Sequence, residues 1–301
     1  MTMQRQTSTG WQKWAHNPVL GGDLGTCFDL TVLQEQSAYR MWFSWRPQRS
    51  IALSESQDGV HWSAPEIVLA PKAWEMDVNR PSVVKVGNRY HLWYTGQTWE
   101  GERTGTSAIC YATSSDGRNW VRVQSEPVLS AALPWEGVAV MCPHVLWDEA
   151  AQLFRMWYSG GEQYEPDAIG YASSRDGMHW QKYAANPMFT AHPEYAWEQA
   201  KVTACQVVPW QTGYLMFYIG FADIDHAQIG LARSPDGITR WERHPANPLI
   251  SPGKENEWDA DAVYKPYAIW NGEQWLLWYN GRRADVEQIG LTIHEGKDLA
   301  F

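Results

Sequence analysis

Apolar and aromatic positions along the chain cluster in short runs of four to six residues, separated by turn residues rather than by helical spacing. The runs recur. "MWFS" at Met41, "LWYTG" at Leu92, "MWYSG" at Met156, "MFYIG" at Met216 and "LWYNG" at Leu277 are versions of one segment. Each is followed by a second run, "SIALSES", "AICYATS", "AIGYASS", "QIGLARS" or "QIGLTIH". Such runs, rich in aromatic and branched residues and bounded by Gly, Pro, Asn and Asp, read as β-strands. Asp58, Asp116, Asp176 and Asp236 each begin an Asp-Gly pair with a Trp close behind, Trp62, Trp120, Trp180 and Trp241. Trp74-Glu75, Trp135-Glu136, Trp197-Glu198 and Trp258-Asp259 follow one another in steps of 61 or 62 residues.

A self-similar period of this length is the signature of a repeat architecture. The pattern predicts an all-β, five-bladed β-propeller built from four-stranded antiparallel blades, with residues 1–301 forming a single domain. The last unit lacks an Asp-Gly…Trp strand, whereas "WQKWAHNPVL" from Trp11 matches "WQKYAANPMF" from Trp180. The N-terminal strand is therefore expected to complete the last blade and close the ring.

The Asp-Gly aspartates lie on turns spread around one rim, too far apart to form one site. Asp and Gly are also what a tight hairpin turn requires, so these residues are expected to be structural. The opposite face gathers the entries of the five inner strands. Aligned on their cores, these strands stack Asp29, Arg80, Cys142, Ala204 and Lys265 at one level and Thr31, Ser82, His144, Gln206 and Tyr267 at the next. Polar and charged residues at such positions are costly unless paired or functional. The competing account is an ion-pair plug, Asp29 with Arg80 or Lys265. Asp77 and Asp261 break the repeat and Glu136 and Glu198 follow it, but all four acids lie near this face. Arg46 and Lys201 add positive charge. The second loops bring Trp99, Tyr164 and His226, rings able to stack on a sugar.

The 20 Trp and 14 Tyr fit either intersheet packing or an aromatic-lined binding surface. A net charge of −10 argues against broad nucleic-acid binding. No apolar run is long enough to span a bilayer, and "MTMQRQTSTGW" lacks a signal-peptide core, which predicts a cytoplasmic protein without a membrane partner. The four cysteines have no metal or redox spacing, so buried thiols are expected and neither a metal nor a cofactor is predicted.

With these elements in place, the sequence resembles the five-bladed β-propeller glycosidases, glycoside hydrolase families 32, 43, 68 and 130. "FSWRPQRSIALSESQDGVHW" is similar to the first blade of the family 130 enzymes. The resemblance implies a carbohydrate-active enzyme, hydrolase or phosphorylase, that cleaves a glycosidic bond at the channel mouth. Its partner would be a saccharide, with phosphate as co-substrate in the phosphorylase case. Asp29 matches the first-blade aspartate that acts as nucleophile or base. Arg80 in "NRP" stands where families 32 and 68 show Arg-Asp-Pro, and Met141 in "MCP" stands where family 32 shows Glu-Cys-Pro. Two carboxyl groups are generally required, so Asp77, Glu136 and Glu198 are the candidate acids beside Asp29. Arg46, Arg80, His144, Lys201, Asp261, Lys265, Tyr267 and Trp99 are the candidate binding residues. The alternatives are a propeller that binds a sugar or anion without turnover, and one repurposed for other acid–base chemistry through Asp29, His144 and Lys265.

Overall fold

The computed structural model describes residues 10–99, 105–162, 164 and 166–301, all in strands, turns and three short 3-10 segments. Strands group into five consecutive units. The first comprises Cys27–Glu35, Ala38–Trp45, Ser50–Ser56 and Glu66–Leu69. Each later unit opens with a leading strand, Asp77–Val86, Ala139–Asp148, Lys201–Trp210 or Ala262–Trp270. The fifth unit runs Ala262–Trp270, Gln274–Arg283 and Val286–Glu295, and Gln12–Lys13 pairs antiparallel with its third strand.

The expected ring of five separate four-stranded blades does not hold. Hydrogen bonding forms four sheets: three have four strands and the fourth has nine. Among the described residues no sheet closes into a circle. The second and third units fuse because Ser107 and Ala139 pair in parallel. Both are small, so the two backbones approach closely, and the Ser107 hydroxyl also donates to Val140 O at 3.3 Å. The other units meet chiefly through side chains, with one backbone bond, Val78 N to Arg49 O at 3.1 Å, between the first and second. The leading strands contact one another in turn, and that of the fifth unit contacts that of the first.

Three side-chain devices recur, two holding neighbouring units together and the third bracing units internally. The first is a bulge. Asp29, Arg80, Cys142, Ala204 and Lys265 all have positive φ, from 35° to 55°, and each leading strand shifts register at that point. Such a bulge re-aims a side chain and frees a backbone N–H. In four units the freed N–H finds a side chain on the second strand of the preceding unit. Arg80 N donates to Ser44 Oγ at 2.8 Å, Cys142 N to Thr95 Oγ1 at 3.2 Å and Ala204 N to Ser159 Oγ at 2.8 Å. Asp29 N donates to Asn280 Oδ1 at 3.1 Å, linking the first unit to the last. Ile219 occupies the corresponding position facing Lys265 and has no acceptor to offer.

The second device explains the Asp-Gly motif. Asp176 Oδ1 accepts from the backbone N–H of Met178 and His179, while Ser174 Oγ donates to Asp176 and accepts from Gly177 N. These bonds hold the Asp176 carboxyl below the usual carboxylate range. The indole N–H of a buried Trp in the preceding unit then donates to the turn carbonyl: Trp42 to Gly117 O, Trp93 to Gly177 O, Trp157 to Gly237 O and Trp278 to Gly59 O, at 2.7–2.9 Å. Phe217 stands where the fourth unit would have this Trp, and it packs edge-on against Trp11 from the N-terminal strand at 6.1 Å. Asp176→Ala should lower the melting temperature by about 2–4 °C, for a loss near 1 kcal/mol, and leave turnover unchanged. A drop in kcat at unchanged stability would contradict this assignment.

The third device joins a buried acid, the tyrosine of the same unit's second strand and a cation on its outer strand. Glu75 accepts from Tyr94 and Arg122, Glu136 from Tyr158 and Lys182, and Glu198 from Tyr218 and Arg243, all at 2.5–2.7 Å. Asp259 accepts from Tyr279 at 2.9 Å and from Lys13 of the N-terminal strand at 2.6 Å.

Candidate active site

A pocket of about 100 Å³ opens where the five bulges meet. All five bulge residues line it: Asp29, Arg80, Cys142, Ala204 and Lys265. The left-handed backbone turns these side chains to a common wall, which is how one charged level arises in strands that are otherwise apolar.

Asp29 is buried and held from both sides. Its Oδ1 accepts from Asn280 Nδ2 at 3.0 Å and its Oδ2 forms an ion pair with Arg80 Nε at 3.1 Å. Arg80 Nη1 also donates to Asn79 Oδ1 at 2.8 Å and to Gln97 Oε1 at 3.2 Å, which fixes the guanidinium plane. The Asp29–Arg80 ion pair expected of a plug is therefore present, but at the wall of an open pocket.

A second carboxylate completes the site. Glu287, on the fifth unit's third strand, lines the same pocket. Burial pushes its carboxyl above the usual range, and the charge of Asp29 pushes the same way, against opposing contributions from Arg46 and a hydrogen bond from Tyr264. Glu287 Oε2 is buried and has no hydrogen-bond partner among the described residues. Arg46 lies 3.8 Å from Glu287 Oε1 and stacks over the Phe28 ring at 4.3 Å. Trp99 and Tyr164 line the mouth, whereas His226 lies elsewhere, bonded to Asp223. The loop residues 100–104, 163 and 165 lie outside the described residues.

The remaining candidates fall outside this wall. Glu136 and Glu198 are fully buried in the acid–tyrosine–cation sets described above. Asp77 is buried near Arg46, Arg80 and Arg49, and burial raises its carboxyl, but it is not a lining residue. Asp261 is exposed and accepts from Ala284 N at 2.6 Å. Lys201 pairs with Glu162 at 2.9 Å and Asp167 at 3.0 Å.

The next level down forms the floor. His144 Nε2 bonds Val207 O at 2.9 Å, and burial pushes the imidazole down to about 4, so the ring is neutral near pH 7. Gln206 exchanges two bonds with the Ala268 backbone, at 2.6 and 2.9 Å, and Tyr267 and Thr31 line the same level. With these groups committed between strands, only about 20 Å³ remains beneath the pocket.

Leading-strand alignment alone misses Glu287, Arg282, Tyr264 and Gln97. The signal for Glu287 lay in the third strands. In the same repeat register it stands with Arg49, Ser107, Asp167 and Ala227, an acid at a position without a common residue type.

Comparison with known proteins shows the family. The family profile described as "Glycosyl hydrolases family 32 N-terminal domain" matches residues 31–218. That is more than half of the chain, and the chain belongs to this family. Membership places it among carbohydrate-active enzymes. The match takes in Arg80, His144 and Lys201, begins after Asp29 and stops short of Lys265 and Glu287. An uncharacterized protein of Mycobacterium tuberculosis is 28% identical over 240 residues, covering 76% of this chain and 77% of its own. The A type blood N-acetyl-alpha-D-galactosamine deacetylase of Flavonifractor plautii is 23% identical, covering 86% of this chain and 40% of its own. A solved structure described as a glycoside hydrolase superposes with a TM-score of 0.75 at 19% identity, covering 92% of this chain and 89% of that one. Among the described residues no helix is long and apolar enough to cross a membrane, and no group of three or more His, Cys, Asp or Glu side chains could hold a metal ion.

Proposed function

We propose that this pocket cleaves a glycosidic bond, with Glu287 as the general acid and Asp29 as nucleophile or base. The observation that carries the reading is the pairing of two unlike carboxyl groups in one pocket. Asp29 is held by a hydrogen bond on one oxygen and an ion pair on the other, and Glu287 is pushed upward by burial. Glycoside cleavage asks for this division, a protonated carboxyl to meet the leaving oxygen and a carboxylate on the other side of the bond. Arg80 positions Asp29, and Trp99 and Tyr164 offer ring faces to a sugar at the mouth. The substrate is a saccharide whose glycosyl group passes to water or to phosphate while the leaving oxygen takes the proton of Glu287. The four unpaired thiols suit a reducing compartment, and we place the enzyme in the cytoplasm.

The test is turnover of aryl glycosides and disaccharides, with and without phosphate. A raised carboxyl serves as acid below its pKa and loses that role as pH rises through it. The alkaline limb of kcat/KM should therefore lie above the ordinary carboxylate range. Glu287→Gln should remove that limb and slow disaccharide cleavage by about 10²–10⁴-fold. The loss should be far smaller for p-nitrophenyl glycosides, whose leaving group needs no proton. An equal loss on both substrates would take the acid role away from Glu287.

A further inference from the structure

The protein carries a net charge of −10, yet its pocket reverses that sign locally. Arg46, Arg80, Lys265 and Arg282 line it against Asp29, Asp225 and Glu287, and the charge on Glu287 is disfavoured by burial. Two of the four cations are already committed. Arg80 serves Asp29, Asn79 and Gln97, and Arg46 lies over Phe28 beside Glu287.

The other two are not. Lys265 makes no hydrogen bond or ion pair to a described residue, although it sits close enough to His144 to push that imidazole further down. Arg282 gives one N–H to the backbone carbonyl of Asp225 at 2.6 Å, and its buried Nε has no partner among the described residues. Both side chains belong to the fifth unit: Arg282 pairs with Ala262, three residues before Lys265 on the leading strand. The fourth unit adds an apolar stretch to the wall, Ile219, Phe221 and Ala227, beside Thr203 and Asp225. Partly buried cations without counter-charge are unfavourable, and a ligand anion would compensate them.

We propose that the substrate is a uronoside, a glycoside whose carboxylate sits between Lys265 and Arg282 while an apolar face of its ring rests on Ile219 and Phe221. A planar two-oxygen anion matches a guanidinium N–H together with one ammonium. A phosphate or sulfate group would bring a third oxygen for which no uncommitted cation remains. This assignment rests on the glycosidase reading for its catalytic step, while the anion seat itself can be measured by binding alone.

Calorimetric titration of galacturonic and glucuronic acids against galactose and glucose tests the seat without any turnover. At least one acid should bind ten times or more tighter than its neutral counterpart, and added salt should weaken that preference. Lys265→Met should bring the preference in Kd, and in kcat/KM for p-nitrophenyl uronosides over neutral glycosides, close to one. Lys265→Arg, which keeps the charge, should retain most of it and controls for folding. Equal binding of acid and neutral sugar, or an equal loss of both in Lys265→Met, would overturn the proposal. Displacement of the uronic acid by inorganic phosphate that also accelerates cleavage would overturn it too, giving the seat to phosphate. Acid-selective binding with no cleavage of any glycoside would leave the seat standing and remove the glycosidase reading.

Discussion

Asp29→Asn should reduce kcat on every cleaved glycoside by on the order of 10⁴-fold or more, with little change in KM. The amide keeps the size of the side chain and one acceptor oxygen, so the Asn280 and Arg80 contacts have a partner to reorganise around. The charge that attacks or activates water is gone. Removing the nucleophile or base of a coupled pair disables the whole constellation, which is why the effect should exceed that of Glu287→Gln on activated substrates. Small nucleophiles such as azide or formate should restore turnover if Asp29 acts by attack. Wild-type kcat in this variant would end the assignment, and a large fall in melting temperature would mean that the Arg80 pair is structural first.

Deleting residues 1–18 should produce the largest loss of stability of any change considered. Trp11 is 1% exposed and packs among Phe217, Trp275 and Leu277, and losing a buried aromatic of this size costs about 3–5 kcal/mol. Lys13 is the cation paired with the buried Asp259, and removing one member of such a pair costs about 3–5 kcal/mol because the other is left uncompensated. Asn17 exchanges two 2.8 Å bonds with the Leu291 backbone, as Asn186 and Asn247 do with Tyr171 and Leu231 in earlier units. At about 2–4 °C per kcal/mol, the melting temperature should fall by more than about 10 °C. Addition of a synthetic peptide covering residues 10–20 should recover part of that fall. A truncated protein that melts with the full-length one would show that the strand does not bear on the fold.

The unit pattern was readable because the fold repeats one physical solution, and each copy repeats the residues that solution needs. The Asp-Gly turn and the Trp that reaches it announce each hairpin, and the bulge level could be placed because five leading strands align on shared cores. The sheet count was not readable. It depends on one parallel pairing, Ser107 with Ala139, that no residue type specifies. Glu136 and Glu198 looked like catalytic acids because a Trp stands beside each. Their partners, Tyr158 with Lys182 and Tyr218 with Arg243, are 20 to 46 residues away and become visible only in three dimensions. Glu287 stayed hidden for the converse reason: its local sequence is ordinary, and its character comes from burial and from Asp29 across the junction of the last and first units.

Ile219 gives the repeat a further meaning. A protein assembled from copies of one module begins with every copy bound to the same scaffolding duty, and specialisation requires some copy to be excused from it. Ser44, Thr95, Ser159 and Asn280 still fasten the next unit's bulge, whereas Ile219 has given up that task and presents a methyl-rich surface to the pocket. The departures from symmetry at the pocket, Ile219 and Glu287, read as a record of which modules were released from construction and turned to selecting what enters.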